Sequence, residues 1–265
     1  MPIITIQKGP LEYMAAEGIS VPHCFTTRLG GVSRGHLASL NIGVHRGDAP
    51  ENVAENYRRL GEALGFSHLV LTRQTHSDIV RPVTLADADR GLTQDAWPEC
   101  DGLITNTPGL ALVIFTADCT PILLHDPVTG AVGAVHAGWR GTAADIAGKA
   151  VRAMEREYGC RPANIRAAIG PNIGQCCFET DADVPEAITA ALGAAARPFI
   201  EHRGGKYHLN LKGINAEFLK NAGVTHIELS DACTACRPDT FWSHRVTGGL
   251  RGSQGAVILC EEANH

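Results

Sequence analysis

Three polar residues stand at the ends of apolar, strand-like runs, and their types are those of a metal site. His76 lies in TRQTHSD, Cys119 closes LALVIFTADC, and His136 closes AVGAVH. Burying an imidazole or a thiol at such a place is costly unless it is hydrogen-bonded or ligates something. Two imidazoles and a thiolate are a borderline-soft donor set suited to Zn²⁺. Three protein ligands leave a fourth position for water or substrate, as catalytic zinc requires. The separations of 43 and 17 residues are not those of a local chelate. The residues alone therefore leave three readings open. One is a catalytic metal centre. Another is a Cys119 nucleophile with His136 or His76 as its base. The third is two hydrogen-bonded histidines beside a buried thiol.

Two glycine-bearing loops present arginines. HAGWRGT, residues 136–142, runs from a strand through a turn into a helical pattern. Free N–H groups at a helix start favour an anion, and Arg140 offers a planar, permanently charged fork. TTRLGGVSRG sets Arg28 ahead of Gly30, Gly31 and Gly35. Neither loop fits a Rossmann or P-loop pattern. Asn41 in SLNIG reads as a turn former. Among nine cysteines, Cys233 and Cys236 have C-x-x-C spacing, and Cys176 and Cys177 are adjacent. No second C-x-x-C completes a zinc site, and neighbouring cysteines rarely chelate one ion. Both pairs read as small apolar residues of the interior.

These residues need a scaffold. Strand-like runs fall near 23–31, 69–80, 101–106, 110–126, 131–137, 165–171, 226–231 and 255–260. Several are rich in Val, Ile and Leu without strict alternation, as in strands covered on both faces. Helices are expected over 51–64, 142–158, 181–195 and 212–222, the second starting at a Thr142 cap and stopping at Gly159. This mixture predicts an α/β (α+β mixed) fold, and the absence of a linker predicts one domain over 1–265.

Composition narrows the class. With 265 residues and 44% hydrophobic content, the chain can bury a large core. A net charge of -5 with no basic tract argues against nucleic acid and anionic membranes as partners. No membrane-length apolar run or secretory signal is evident, and the thiols suit a reducing compartment, so a cytoplasmic protein is expected. Nothing in the composition sets the oligomeric state.

Together the pieces resemble the YfiH family, also called the laccase-domain or polyphenol-oxidase-like family. The matching segments are TTRLGGVSRG, SLNIG, RQTHSD, CDGLITNTPGLALVIFTADCTPILLHDP, VHAGWRGT, AIGPNIGQCCFE and HLNLKGINAEFL, in family order over nearly the whole chain. The resemblance implies mixed sheets packed in an α-β-β-α arrangement and a zinc site of His76, Cys119 and His136, to which Cu²⁺ is a possible alternative. It sets Arg28, Asn41 and Arg140 in the same pocket, binding substrate or phosphate. Asp118 would orient a ligand or exchange a proton, and Cys119 would be ligand or nucleophile. In the closing FWSHRVTGGLRGSQ, His244 and Arg245 stand in the family's paired basic region, and Ser253 replaces its last arginine.

The implied substrates are purine nucleosides and phosphate. The implied reactions are phosphorolysis of adenosine, inosine and related nucleosides, including methylthioadenosine, and deamination of adenosine. Two further activities are implied as alternatives: amide hydrolysis that edits a peptidoglycan precursor (a UDP-MurNAc-amino acid), and copper-dependent polyphenol oxidation. The 12 histidines include no H-x-H pair, the usual mark of a multicopper assembly.

Overall fold

Alternation along the central strands builds the architecture. The computed structural model describes residues 3–93 and 96–262. Its two large sheets have six strands each. The first runs, in spatial order, Ile3–Lys8, Leu11–Ala16, His23–Thr26, Gln254–Leu259, Leu110–Thr116, His68–Val70. The second runs His226–Leu229, Arg166–Ile169, Thr120–His125, Val132–Ala137, Gly102–Thr105, Val80–Pro82. Both sheets are mixed: His68–Val70 is parallel to Leu110–Thr116, and Val80–Pro82 is parallel to Gly102–Thr105, amid antiparallel neighbours.

Leu103, Leu123, Val132 and Ala134 of the second sheet join Val113, Ile114 and Val257 of the first in one core. Their neighbours Ile104, Ile122, Leu124 and Val135 point the other way, into a core shared with the helices Ile146–Tyr158 and Leu211–Asn221. Helix Pro50–Leu64 covers the outer face of the first sheet through Val53, Tyr57, Leu60 and Leu64. The result is the expected α-β-β-α layering. Two-sided burial explains why these strands lack polar alternation. A small sheet of Glu179–Thr180, Lys206–Leu209 and Ile200–Arg203 stands apart. No helix among the described residues is long and apolar enough to cross a membrane.

The structure departs from the sequence expectations at two places that matter for the site. The run 110–126 is not one strand: Leu110–Thr116 belongs to the first sheet and Thr120–His125 to the second. The chain changes sheets through residues 117–119, with Asp118 at φ 85°. The run 69–80 is likewise two short strands, and the irregular segment between them carries His76 at φ 59°.

The long helix begins at Ile146 rather than Thr142. Asp145, at φ 56°, caps it by accepting from the Gly148 N–H at 2.9 Å. Thr142 ends up buried inside a separate five-residue helix, Trp139–Ala143, where its hydroxyl accepts from Asn215 Nδ2. Gly159 stops the long helix in the left-handed conformation, φ 67°, as expected.

Candidate metal centre

His136 sits in a strand of the second sheet, with Pro121 as its cross-strand partner. Cys119 immediately precedes the strand Thr120–His125, so pairing of these two strands fixes the distance between thiol and imidazole. His76 arrives from the irregular segment. The three side chains bring one donor atom each to within 4.8 Å of one another. Cys119 Sγ lies 3.8 Å from His76 Nε2, and the two imidazoles meet edge to face with centroids 5.1 Å apart. Donors around a tetrahedral Zn²⁺ stand about 3.3–3.8 Å apart, so a small contraction would seat such an ion. The donor chemistry fits zinc, and copper as well.

The residue that organises the centre is Asp101, at the start of the expected strand 101–106, where the sequence carries no signal of a site. Its side chain is fully buried. Oδ1 accepts from His136 Nδ1 at 2.7 Å and from the His76 backbone N–H at 3.1 Å. Oδ2 accepts from the N–H groups of Thr75 and Ser77 and from the Ser77 hydroxyl. One carboxylate thus fixes the His136 ring, leaving its Nε2 for a ligand, and holds the loop that delivers His76. This is the carboxylate–histidine support typical of metal ligands. Burial alone would push the Asp101 carboxyl up, but the His136 contact and the Ser77 donors outweigh it and hold it below its usual range.

The same balance acts on the donors. Burial opposes ionisation of Cys119, yet His136 and His76 bring its pKa down. Burial disfavours the His136 imidazolium, and Cys119 and Asp101 overcome it, raising its pKa. Cys119 is therefore disposed to the thiolate that ligation requires.

Gly138 is the steric condition for this convergence. A Cβ there would lie 2.6 Å from His76 Cδ2 and 3.5 Å from Cys119 Sγ.

Two cavities share the centre as a common wall: His76, Cys119, Ala117, Arg46 and Arg251 line both. The first, of 270 Å³, adds His45, Gln74, His136 and Ser253. The second, of 430 Å³, adds Trp139, Arg140, Ile173, Phe178, Leu211 and Arg245. Arg46 Nε and Arg251 Nη1 each donate to Ser253 Oγ at 3.2 Å, so Ser253 ties two arginines together. Arg251 Nε is buried and without a hydrogen-bond partner. Burial, and then Arg46 beside it, lower the Arg251 pKa to about 10. A larger cavity of 690 Å³ lies against helix Asp183–Leu192 and includes none of the centre's donors.

The other predicted site residues have different places. Arg140 lines the larger of the two shared cavities, its guanidinium 4.2 Å from the Trp139 ring centroid. Its short helix is no anion site of the kind expected, because the dipole of five residues is small and the long helix is capped by Asp145.

Arg28 and Asn41 are not among the residues that line either shared cavity. Arg28 donates to the carbonyls of Ala38 and Pro238 and lies 3.9 Å from the Trp242 ring centroid, so loop closure engages three of its five N–H donors. Asn41 is fully buried and bonded at both ends, to Asp48 and to the Gly43 and Ser253 backbone, where it braces the segment bearing Arg46. Asp118 lines the larger cavity, but its carboxylate accepts from Thr234, Ser243 and the Arg245 N–H. It anchors the 243–247 turn, and the orienting of a ligand falls to Asp101.

The cysteine pairs also need correction. Cys176, Cys177, Cys233 and Cys236 bring their sulfurs within 4.8 Å of one another, and only Cys233 is buried. They are a cluster, not scattered interior apolar residues.

Comparison with known proteins agrees with this fold. The family model for the multi-copper polyphenol oxidoreductase laccase matches residues 22–261. The purine nucleoside phosphorylase YlmD of Geobacillus stearothermophilus is 41% identical over 241 residues, covering 88% of each chain. A purine nucleoside phosphorylase of Deinococcus radiodurans is 41% identical over 249 residues, 94% of this chain and 92% of that one. The crystal structure of YlmD from G. stearothermophilus superposes with a TM-score of 0.91 at 37% identity, over 98% of this chain and 100% of that one.

Proposed function

The chain belongs to the laccase-like YlmD/YfiH family, and from that premise we propose that it is a zinc-dependent purine nucleoside phosphorylase. Its substrates in this reading are adenosine, inosine and related nucleosides, including methylthioadenosine, with adenosine deamination as a second activity of the same centre. The observation that carries the reading is the shared wall. Three convergent donors lie between an arginine-rich cavity and one with aromatic and apolar surface. The relatives' name as purine nucleoside phosphorylases supports the substrate class.

An ion held by His76, Cys119 and His136 would supply Lewis acidity toward a substrate oxygen or water. The chain's own residues do the rest. Asp101 holds His136 in the tautomer whose Nε2 is free. Arg46 and Arg251 are two like charges brought together, one with an unsatisfied buried N–H. A phosphate between them relieves the repulsion and takes that donor, so they hold the attacking anion. Trp139, Ile173 and Phe178 offer the flat and apolar surface a purine base stacks on. The roles of Arg140 as a further anion contact, and of Cys119 as ligand rather than nucleophile, belong to this same proposal.

The family name suggests copper oxidation. Among the described residues, potential metal ligands form two groups, and only one contains histidine. That donor set supports a single ion at the centre rather than a multicopper array.

Metal-quantified protein incubated with adenosine, with and without phosphate, tests the reading. Adenine with ribose 1-phosphate, formed only with phosphate, is the expected product pair, and inosine reports deamination. Arg251→Ala should raise the KM for phosphate about tenfold with a smaller change for the nucleoside. No nucleoside product, with amino-acid release from a muramyl precursor instead, would overturn the reading in favour of amide hydrolysis.

A further inference from the structure

The four-cysteine cluster lies outside the centre just described and has no part in the proposed reaction. Cys176 and Cys177 sit in the turn before Glu179–Thr180. Cys233 and Cys236 sit in the loop after His226–Leu229. The two segments are already paired at one point, Asn172 beside Cys233, with the Thr234 N–H donating to the Asn172 carbonyl at 3.0 Å. From there the turn that starts at Gly174 bends so that both neighbouring thiols face one partner. Cys177 Sγ is 3.4 Å and Cys176 Sγ 3.6 Å from Cys236 Sγ. This bend is why adjacent cysteines can serve one ion here. Gly174 permits it: a Cβ there would stand 3.2 Å from Cys176 Sγ and 3.4 Å from Cys233 Sγ.

We infer that Cys176, Cys177, Cys233 and Cys236 form a second metal site, a closed tetrathiolate for Zn²⁺. Sulfurs around a tetrahedral Zn²⁺ stand about 3.8 Å apart, inside the range these four already span. They are well beyond the roughly 2.05 Å of a disulfide, and all four are free thiols. Soft donors in fours select zinc over harder cations. The Gly174 N–H donates to Cys233 Sγ at 3.1 Å, a bond that favours thiolate over thiol. Cations surround the cluster: Lys212 Nζ donates to the Ala232 carbonyl, Arg203 to that of Cys176, and Arg245 to that of Cys177. Four thiolates on one Zn²⁺ leave two negative charges, which these residues offset; thiol protons displaced on binding go to solvent.

The location assigns the ion a structural role. Four protein ligands leave no open position. The clamped turn carries Ile173 and Phe178, both facing the larger cavity of the catalytic centre. The zinc would thus fasten the wall against which substrate packs.

Full-length protein, reduced and stripped of metal, is titrated with Co²⁺ alone. Two equivalents per chain are expected, one giving the intense sulfur-to-cobalt absorption of a tetrathiolate. Cys177→Ser and Cys236→Ser should each lose that equivalent and its absorption. His76→Ala should lose only the other, so failure of either centre is read separately. Binding of the same number of equivalents by Cys236→Ser, or no tetrathiolate band in His76→Ala, would overturn the inference. Should the cysteine variants not fold, alkylation of the wild type decides. Zn²⁺ must slow labelling of the exposed Cys176 and Cys236 at least tenfold, and equal rates refute the site. A disulfide among the four in protein isolated without reductant, with no metal bound there, refutes it too.

Discussion

The two donor clusters are built in opposite ways. His76, Cys119 and His136 stand in a wall between two cavities, and a buried carboxylate supports them. The four cysteines stand near the surface, supported by a backbone N–H and surrounding cations. The first arrangement has three donors and room for a fourth partner; the second has four and none. Chemistry needs an open coordination position and ligands held rigidly by neighbours. A clamp needs closure only. The difference lies less in the donors than in what surrounds them.

The strongest way to break this contrast is to remove a donor from the open cluster. Cys119→Ala should lose metal there and drop nucleoside turnover more than about a hundredfold, since even supporting residues of metal sites cost 10–100-fold. Its tetrathiolate cobalt absorption should stay intact. Full activity in this variant would dismiss both metal and thiol chemistry.

Next comes the support. Asp101→Asn should lower metal affinity or kcat/KM about 10–100-fold, because the amide cannot replace a charged acceptor for His136 and three successive N–H groups together. Calorimetric zinc titration of this variant should show weakening at one site only.

A subtler test moves a ligand without removing it. Gly138→Ala, at φ -67°, carries no backbone penalty, but its Cβ would force His76 to shift. Roughly tenfold lower kcat is expected, from misplacement of a ligand rather than its loss. An unchanged kcat would mean that His76 need not stand where it does.

The smallest effect concerns a histidine without support. His125 ends the strand that Cys119 precedes; it is buried, and its Nδ1 has no hydrogen-bond partner. Burial pulls its pKa down to about 4, whereas His136 with its carboxylate moves up. Above pH 6.5 neither folded nor unfolded chain protonates His125. Between about 6.5 and 4 only the unfolded chain does, so stability falls with pH across that window. The loss is at most about 3 kcal/mol. Urea midpoints measured from pH 7 to pH 4 should decline less steeply in His125→Gln, with activity at pH 7 unchanged. A parallel decline would show that His125 titrates normally.

Much of the scaffold was legible along the chain. Pro50–Leu64 and Leu211–Asn221 follow from apolar periodicity, and Gly159 from its need for a left-handed stop. The divided run 110–126 was not legible, because a strand leaving one sheet and a strand entering the next are both apolar. Only the Ala-Asp-Cys at the crossing marks the change. Arg28 showed the converse difficulty. A glycine-flanked arginine suits an anion site and a loop brace equally well, and the carbonyls of Ala38 and Pro238 decided for the brace.

By itself, the sequence determined the donor types and the mixed α/β class, because these depend on local patterning and on chemistry that each side chain carries anywhere; the α-β-β-α layering was implied by the family resemblance. Which donors meet was decided by tertiary structure alone. Asp101 reaches His136 across 35 residues, Arg46 meets Ser253 across 207, and Cys177 meets Cys236 across 59. The physical reason is that a polar group is priced by its partners, and partners are set by where the sheets bring distant backbone together.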